Sequence, residues 1–123
     1  MPAPRPRVVI VDDHDGFRRI ARELFTARGW DVVAEACCRA TALSAVTASA
    51  PDLVVVDVGL GAESGFNLAH ELTRTFPELA VLLTSADRHA DAEDRALASG
   101  ASGFVTKVRL PLVDLGAFIR RDA

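Results

Sequence analysis

The chain has no apolar run long enough to cross a bilayer. Its first, Val8–Val11, is four residues, where a spanning helix needs about 20. Met1 to Arg7 is rich in Pro and Arg, but no signal-peptide apolar stretch with a small-residue cleavage site follows it. Cysteine is scarce: the two residues present, Cys37 and Cys38, are neighbours. Adjacent cysteines pair only in a strained ring, and one pair without further ligands frames no metal site. They read as reduced thiols, one packed inward and one near the surface. His14, His70 and His89 have no metal-ligand spacing and read as surface residues. Nor is basic charge in excess. Lys plus Arg is 14 and Asp plus Glu is 17, so the formal charge is 14 − 17 = −3, which argues against nonspecific binding of nucleic acid. No linker, repeat or low-complexity stretch divides the 123 residues, a length that suits one domain. The expectation is a soluble, cytoplasmic protein with no membrane partner and no direct nucleic-acid contact.

What the chain does have is an alternation of short apolar runs and longer amphipathic segments. Val8–Val11, Val32–Ala34, Leu53–Asp57, Ala80–Thr84 and Gly103–Lys107 read as strands. The third is apolar without alternation, which implies burial on both faces. Phe17, Ile20, Ala21, Leu24 and Phe25 have helical spacing, with Asp15 as N-cap and Gly29 just past the end. Further helices are expected over Arg39–Ser49, around Phe66, Leu68, Ala69, Leu72 and Phe76, and over Ala90–Ser99. A last one should run from about Pro111 to Arg121, with Leu112, Leu115, Phe118 and Ile119 inward. Five strands alternating with five helices predict an α/β fold: a doubly wound parallel sheet covered on both faces.

In such folds ligands bind outside the carboxyl ends of the strands. Asp12 and Asp13 follow the first strand, Asp57 ends the third, Thr84 and Ser85 end the fourth, and Lys107 ends the fifth. Taken singly, each has a plainer role as a cap, a solvated side chain or a strand former. Three acids brought to one rim repel unless a cation neutralises them. A hard divalent ion such as Mg²⁺ suits that cluster. Lys107 and the Thr84 hydroxyl are then placed to hold the oxygens of a phosphoryl group.

Val8-Val9-Ile10-Val11-Asp12-Asp13-His14, Pro51-Asp52-Leu53-Val54-Val55-Val56-Asp57, Val81-Leu82-Leu83-Thr84-Ser85 and Gly100-Ala101-Ser102-Gly103-Phe104-Val105-Thr106-Lys107 resemble the receiver domains of bacterial two-component response regulators. The Asp12-Asp13-His14 opening and the passage Ala98-Ser99-Gly100-Ala101-Ser102-Gly103-Phe104 most resemble the NarL/FixJ class. The resemblance implies a flavodoxin-like (βα)5 fold with strand order 2-1-3-4-5, spanning residues 7–121 after a disordered extension 1–6. It implies that Asp57 is the phospho-acceptor for a sensor histidine kinase. Mg²⁺ would be held by Asp13, by Asp57 and by the backbone carbonyl of Gly59, with Asp12 acting through a coordinated water or its field. Thr84 and Ser85 would attend the phosphoryl oxygens, Lys107 would pair with Asp57 or its phosphate, and Phe104 would be the switch aromatic. The domain would then be a signalling switch and not a turnover enzyme. A homodimer through the helix 4/helix 5 face is a further implication, and the acids Asp87, Asp91, Glu93 and Asp94 at the start of helix 4 also suit its dipole.

Two departures stand out. Val108 follows Lys107 where the family usually has Pro. A cis bond before a non-proline residue costs about 3 kcal/mol, so a trans peptide is expected. Gly59 and Gly61 make the loop after Asp57 permissive, and it is expected to be mobile without metal or phosphate. Two other readings compete. A haloacid-dehalogenase-type phosphotransferase would need a second acid where Gly59 stands. An interaction module could keep the fold without being phosphorylated. The chain reads equally as a stand-alone regulator or as a receiver cut from a longer transcription factor.

Overall fold

A computed structural model describes residues 4–88 and 90–119. The elements run β1 (Arg7–Val11), α1 (Asp15–Ala27), β2 (Asp31–Ala36), α2 (Arg39–Ser49), β3 (Leu53–Asp57), β4 (Gly59–Leu60), β5 (Glu63–Ser64), α3 (Gly65–Thr75), β6 (Ala80–Ser85), α4 (Ala92–Ala98) and β7 (Gly103–Thr106). Five strands form one parallel sheet in the order β2-β1-β3-β6-β7. Leaving out the two-residue strands β4 and β5, this is the expected order 2-1-3-4-5.

The central strand shows why the sheet is covered twice. All five residues of β3 are buried, and they alternate between two cores because successive side chains point to opposite faces. Val54 and Val56 join Val9, Val81 and Leu83 beneath Val46, Phe66 and Leu72. Leu53 and Val55 join Val8, Ile10 and Leu82 beneath Ala21, Phe25, Trp30, Leu110 and Leu115. The Phe25 and Trp30 rings meet edge to face, their centroids 5.1 Å apart. Helix α1 buries Ala21 and Phe25, but Ile20, expected inward, is 60% exposed. Its N-cap is His14, one residue before the expected Asp15, and Gly29 follows its end with φ 85°. Neither cysteine is buried. Cys37 is exposed and Cys38 partly so, because Cys38 caps α2 beside the Thr41 hydroxyl.

The segment after β7 differs from expectation. In place of an α-helix from Pro111, two short 3₁₀ stretches cover Lys107–Leu112 and Leu115–Phe118. Pro111 lacks an N–H, Gly116 disfavours helix, and a short helix has little packing to offset its nucleation. Leu110 and Leu115 reach the second core, whereas Leu112, expected inward, is 78% exposed. The Arg28 guanidinium donates to the carbonyls of Pro111 and Val113, the latter at 2.7 Å. Among the described residues no fifth α-helix exists, so the expected dimer face keeps α4 but loses its helical partner. Residues 120 and 121 of that expected helix lie outside the described residues, as do His89 and residues 1–3 of the expected extension. Pro6, within that extension, accepts the Asp31 N–H at 2.9 Å. No described helix is long and apolar enough to cross a membrane.

Candidate functional site

Four strand ends bring the polar residues together. β1 runs directly into Asp12 and Asp13, and β3 ends in Asp57, whose neighbour across the ladder is Thr84. β7 delivers Lys107, the only lysine in the chain. Its ammonium lies 2.7 Å from Asp12 Oδ2 and 3.4 Å from Asp57 Oδ2, and 4.3 Å from the centre of the Phe17 ring. The Lys107–Val108 peptide is trans. Asp12 is fully buried. Its Oδ2 has the ammonium at ion-pair distance but accepts no properly directed hydrogen bond.

The expected Lys107–Asp57 pair is therefore one half of a bridge, and the shorter contact goes to Asp12. Asp12 serves the backbone too: its Oδ1 accepts the N–H of His14 at 2.9 Å, and its carbonyl accepts from Arg18 at 2.6 Å. Thr84 is fully buried, its hydroxyl 3.5 Å from the Val56 carbonyl, while Ser85 Oγ accepts the Asp87 N–H at 3.2 Å. Phe104 is half-buried against the first core, opposite Leu83 in the ladder, and lines a groove with Arg88, Val108 and Val113.

The loop after Asp57 carries a pairing of its own. Val58–Ser64 closes into a hairpin, with Gly59 opposite Ser64 and Leu60 opposite Glu63. Leu60 is buried, and the Gly65 N–H donates to the Val58 carbonyl at 2.8 Å. The Gly59 N–H lies 3.5 Å from Asp57 Oδ1. A Cβ on Gly61 would sit 3.9 Å from Asp13 Oδ2, so the hairpin tip faces the acids.

One residue of the site was missed in the sequence. His14, read as an ordinary surface residue, places Nδ1 3.0 Å from Asp12 Oδ1, 3.1 Å from Asp13 Oδ1 and 3.9 Å from Asp57 Oδ2. One donor atom from each of Asp12, Asp13, His14 and Asp57 lies within 4.8 Å of every other. Adjacency to Asp13 was the one available signal, and spacing rules built on separated histidines overlook it. This donor set fits a small divalent cation: three carboxylates gather within 4.8 Å of one another, and the one ammonium beside them, Lys107, offsets only part of their charge.

Burial pushes the Asp57 carboxyl above the usual carboxylate range, and the charge of Asp12 pushes it further; the Lys107 ammonium and the Gly59 N–H oppose both. The unfolded carboxyl ionises near about 3.9, the folded one only at higher pH. Between those values the native state holds the extra proton, so ionisation of Asp57 lowers stability as pH rises through that window. Asn carries no such penalty. Without divalent ions, Asp57→Asn is expected to melt above the parent at neutral pH. The gap should close below the ordinary carboxylate range, and equal melting temperatures at pH 7 would contradict the burial argument.

Residues 8–112 match the family described as Response regulator receiver domain. Over 102 residues the chain is 37% identical to the DNA-binding transcriptional activator DevR/DosR of Mycobacterium tuberculosis, covering 82% of this chain and 47% of that protein. It is 31% identical to the response regulator GacA of Pseudomonas aeruginosa, covering 82% of this chain and 48% of that one. The chain thus spans about half the length of these curated relatives. A crystal structure of a LuxR-family two-component response regulator from Aurantimonas sp. SI85-9A1 superposes with a TM-score of 0.82 at 30% identity, over 89% of this chain and 79% of that one.

Proposed function

The chain belongs to the response regulator receiver family, whose members serve phosphorylation-based two-component signalling, and on that footing we propose that Asp57 accepts the phosphoryl group. The observation that carries the reading is the convergence on Asp57 of Asp12, Asp13 and the single ammonium of Lys107. The donor is the phosphohistidine of a sensor histidine kinase. An Asp57 oxygen attacks phosphorus, the P–N bond breaks, and the departing imidazole keeps the electron pair. Lys107 stays within reach of Asp57 Oδ2 and offsets the charge that gathers on the phosphoryl oxygens. Thr84 and Ser85, on the neighbouring strand end, offer hydroxyls to those oxygens. Asp13, Asp57 and the Gly59 carbonyl would hold Mg²⁺, with Asp12 behind them; when bound, the ion neutralises charge on the phosphoryl group.

Water later hydrolyses the acyl phosphate, so the domain acts as a switch. Phe104, half-buried against the first core beside an open groove, is the reporter of the switch. The readout is cytoplasmic and passes through the surface formed by α4, β7 and the 3₁₀ segment.

Intact-mass measurement after incubation with acetyl phosphate and Mg²⁺ tests this reading. The expected product is a single acid-labile adduct of about 80 Da, absent without Mg²⁺ and absent in Asp57→Ala. An adduct that survives that substitution would place the chemistry elsewhere, and no adduct at all would favour an interaction module.

A further inference from the structure

We infer that His14 completes a mixed nitrogen–oxygen donor set at the acidic rim, so that the site takes a borderline ion such as Ni²⁺ or Co²⁺ through imidazole as well as Mg²⁺ through oxygen. The inference rests on the reading that this rim holds a divalent ion, and it adds a ligand outside the carboxylate set.

Ligand spacing is the first argument. Metal–ligand distances of about 2.1 Å put adjacent octahedral ligands about 3.0 Å apart and opposite ones about 4.2 Å apart. His14 Nδ1 stands 3.0 Å from Asp12 Oδ1, 3.1 Å from Asp13 Oδ1 and 3.9 Å from Asp57 Oδ2. Those three separations fit one coordination sphere with little rearrangement. The second argument is Asp12 Oδ2, fully buried at the same cluster, where its partner is the Lys107 ammonium at 2.7 Å, at ion-pair distance but without hydrogen-bond alignment.

Local structure keeps the imidazole in place without confining it. The His14 N–H is anchored on Asp12 Oδ1 at 2.9 Å, and its carbonyl accepts the Arg18 N–H at 3.1 Å as α1 begins. Its Nδ1 is hydrogen-bonded to Asp12 Oδ1 at 3.0 Å while the side chain stays 67% exposed, so an ion arriving from solvent reaches the ring by replacing that hydrogen bond. Donor chemistry decides which ion gains. Mg²⁺ favours oxygen and keeps its waters, whereas imidazole suits Ni²⁺, Co²⁺ and Zn²⁺, which also bind more tightly to a given nitrogen site than Mn²⁺ does.

Isothermal titration of the full chain with Ni²⁺ and with Mg²⁺ tests this, in a Cys37→Ser, Cys38→Ser background that removes the thiols as competing ligands. His14→Ala is expected to weaken Ni²⁺ at least about tenfold and to leave Mg²⁺ within about twofold, since oxygens alone hold that ion. His14→Gln should behave like His14→Ala, which separates nitrogen ligation from lost bulk. Pulsed electron paramagnetic resonance of bound Mn²⁺ should show a ¹⁴N coupling in the parent that disappears in both variants. Unchanged Ni²⁺ affinity, or equal losses for both ions, would overturn the inference while leaving the Mg²⁺ site intact. No binding of either ion to the parent would overturn the metal reading itself.

Discussion

Replacing Gly65 by alanine is expected to destabilise the fold by about 3 kcal/mol or more, the upper range for overpacking a closed site. A Cβ there would lie 2.0 Å from the Asp57 carbonyl oxygen, 2.6 Å from Val58 Cα and 2.7 Å from the Asp57 carbonyl carbon. All three are backbone atoms, so no side chain can swing aside. Relief would require moving the end of β3 or the start of α3, and both are fixed by the Val58–Gly65 hydrogen bond and by buried Phe66 and Leu68. Moving the end of β3 displaces Asp57 itself. Urea unfolding should show a lower midpoint, and the phosphoryl adduct should form slowly or not at all. Gly16 gives the contrast: a Cβ there meets nothing within 4 Å, so Gly16→Ala in α1 should be neutral or stabilise by about 0.5–1 kcal/mol. If the two substitutions proved equally mild, β3 and α3 would have to be far more compliant than their packing indicates.

Lys107→Met should have the next largest effect. The substitution keeps most of the stem but removes the only cation touching both Asp12 and Asp57 among the described residues. Breaking a buried ion pair by deleting one partner typically costs 3–5 kcal/mol, because the remaining charge is stranded. The Asp12 side chain is fully buried, while Lys107 keeps 14% exposure, so a loss of about 3 kcal/mol is expected. With the ammonium gone, an influence that lowers the Asp57 carboxyl goes too. Phosphoryl uptake should fall sharply, since nothing replaces the charge beside the acceptor. Adding Asp12→Asn to Lys107→Met should recover most of the stability and none of the uptake. A single variant as stable as the parent would mean that the 2.7 Å contact contributes nothing.

How much of this was legible in the sequence follows from how local each signal is. β3 could be read because burial on both faces leaves no polar residue in Leu53–Val56, and Asp57 stands out by ending that run. The rim could be read because parallel strands put their carboxyl ends on one side. The expected roles of Thr84, Ser85 and Phe104 concern a phosphorylated state, on which placement alone is silent. Less local features were hidden. Pro111 looked like a helix start, yet Leu110 and Leu115 are both drawn into the second core with Arg28 holding the carbonyls between, a long-range set of contacts. The turn made by the His14 N–H on Asp12 leaves the imidazole among the acids, which residue spacing does not encode. That Lys107 lies closer to Asp12 than to Asp57 depends on side-chain direction.

The arrangement of the strands also bears on how the chain reaches its native state. Every pairing in the five-stranded sheet joins segments distant in sequence: Val8 meets Leu53, Leu53 meets Ala80, and Leu82 meets Gly103. Among the described residues, the one antiparallel pairing of near neighbours is the four-residue ladder beside Asp57. Large loops must therefore close before any sheet contact rewards the ordering, which slows folding relative to chains rich in local contacts. Helices need no such closure, whereas the strand that carries the acceptor pairs only with segments from either side of it in the chain, β1 before it and β6 after it.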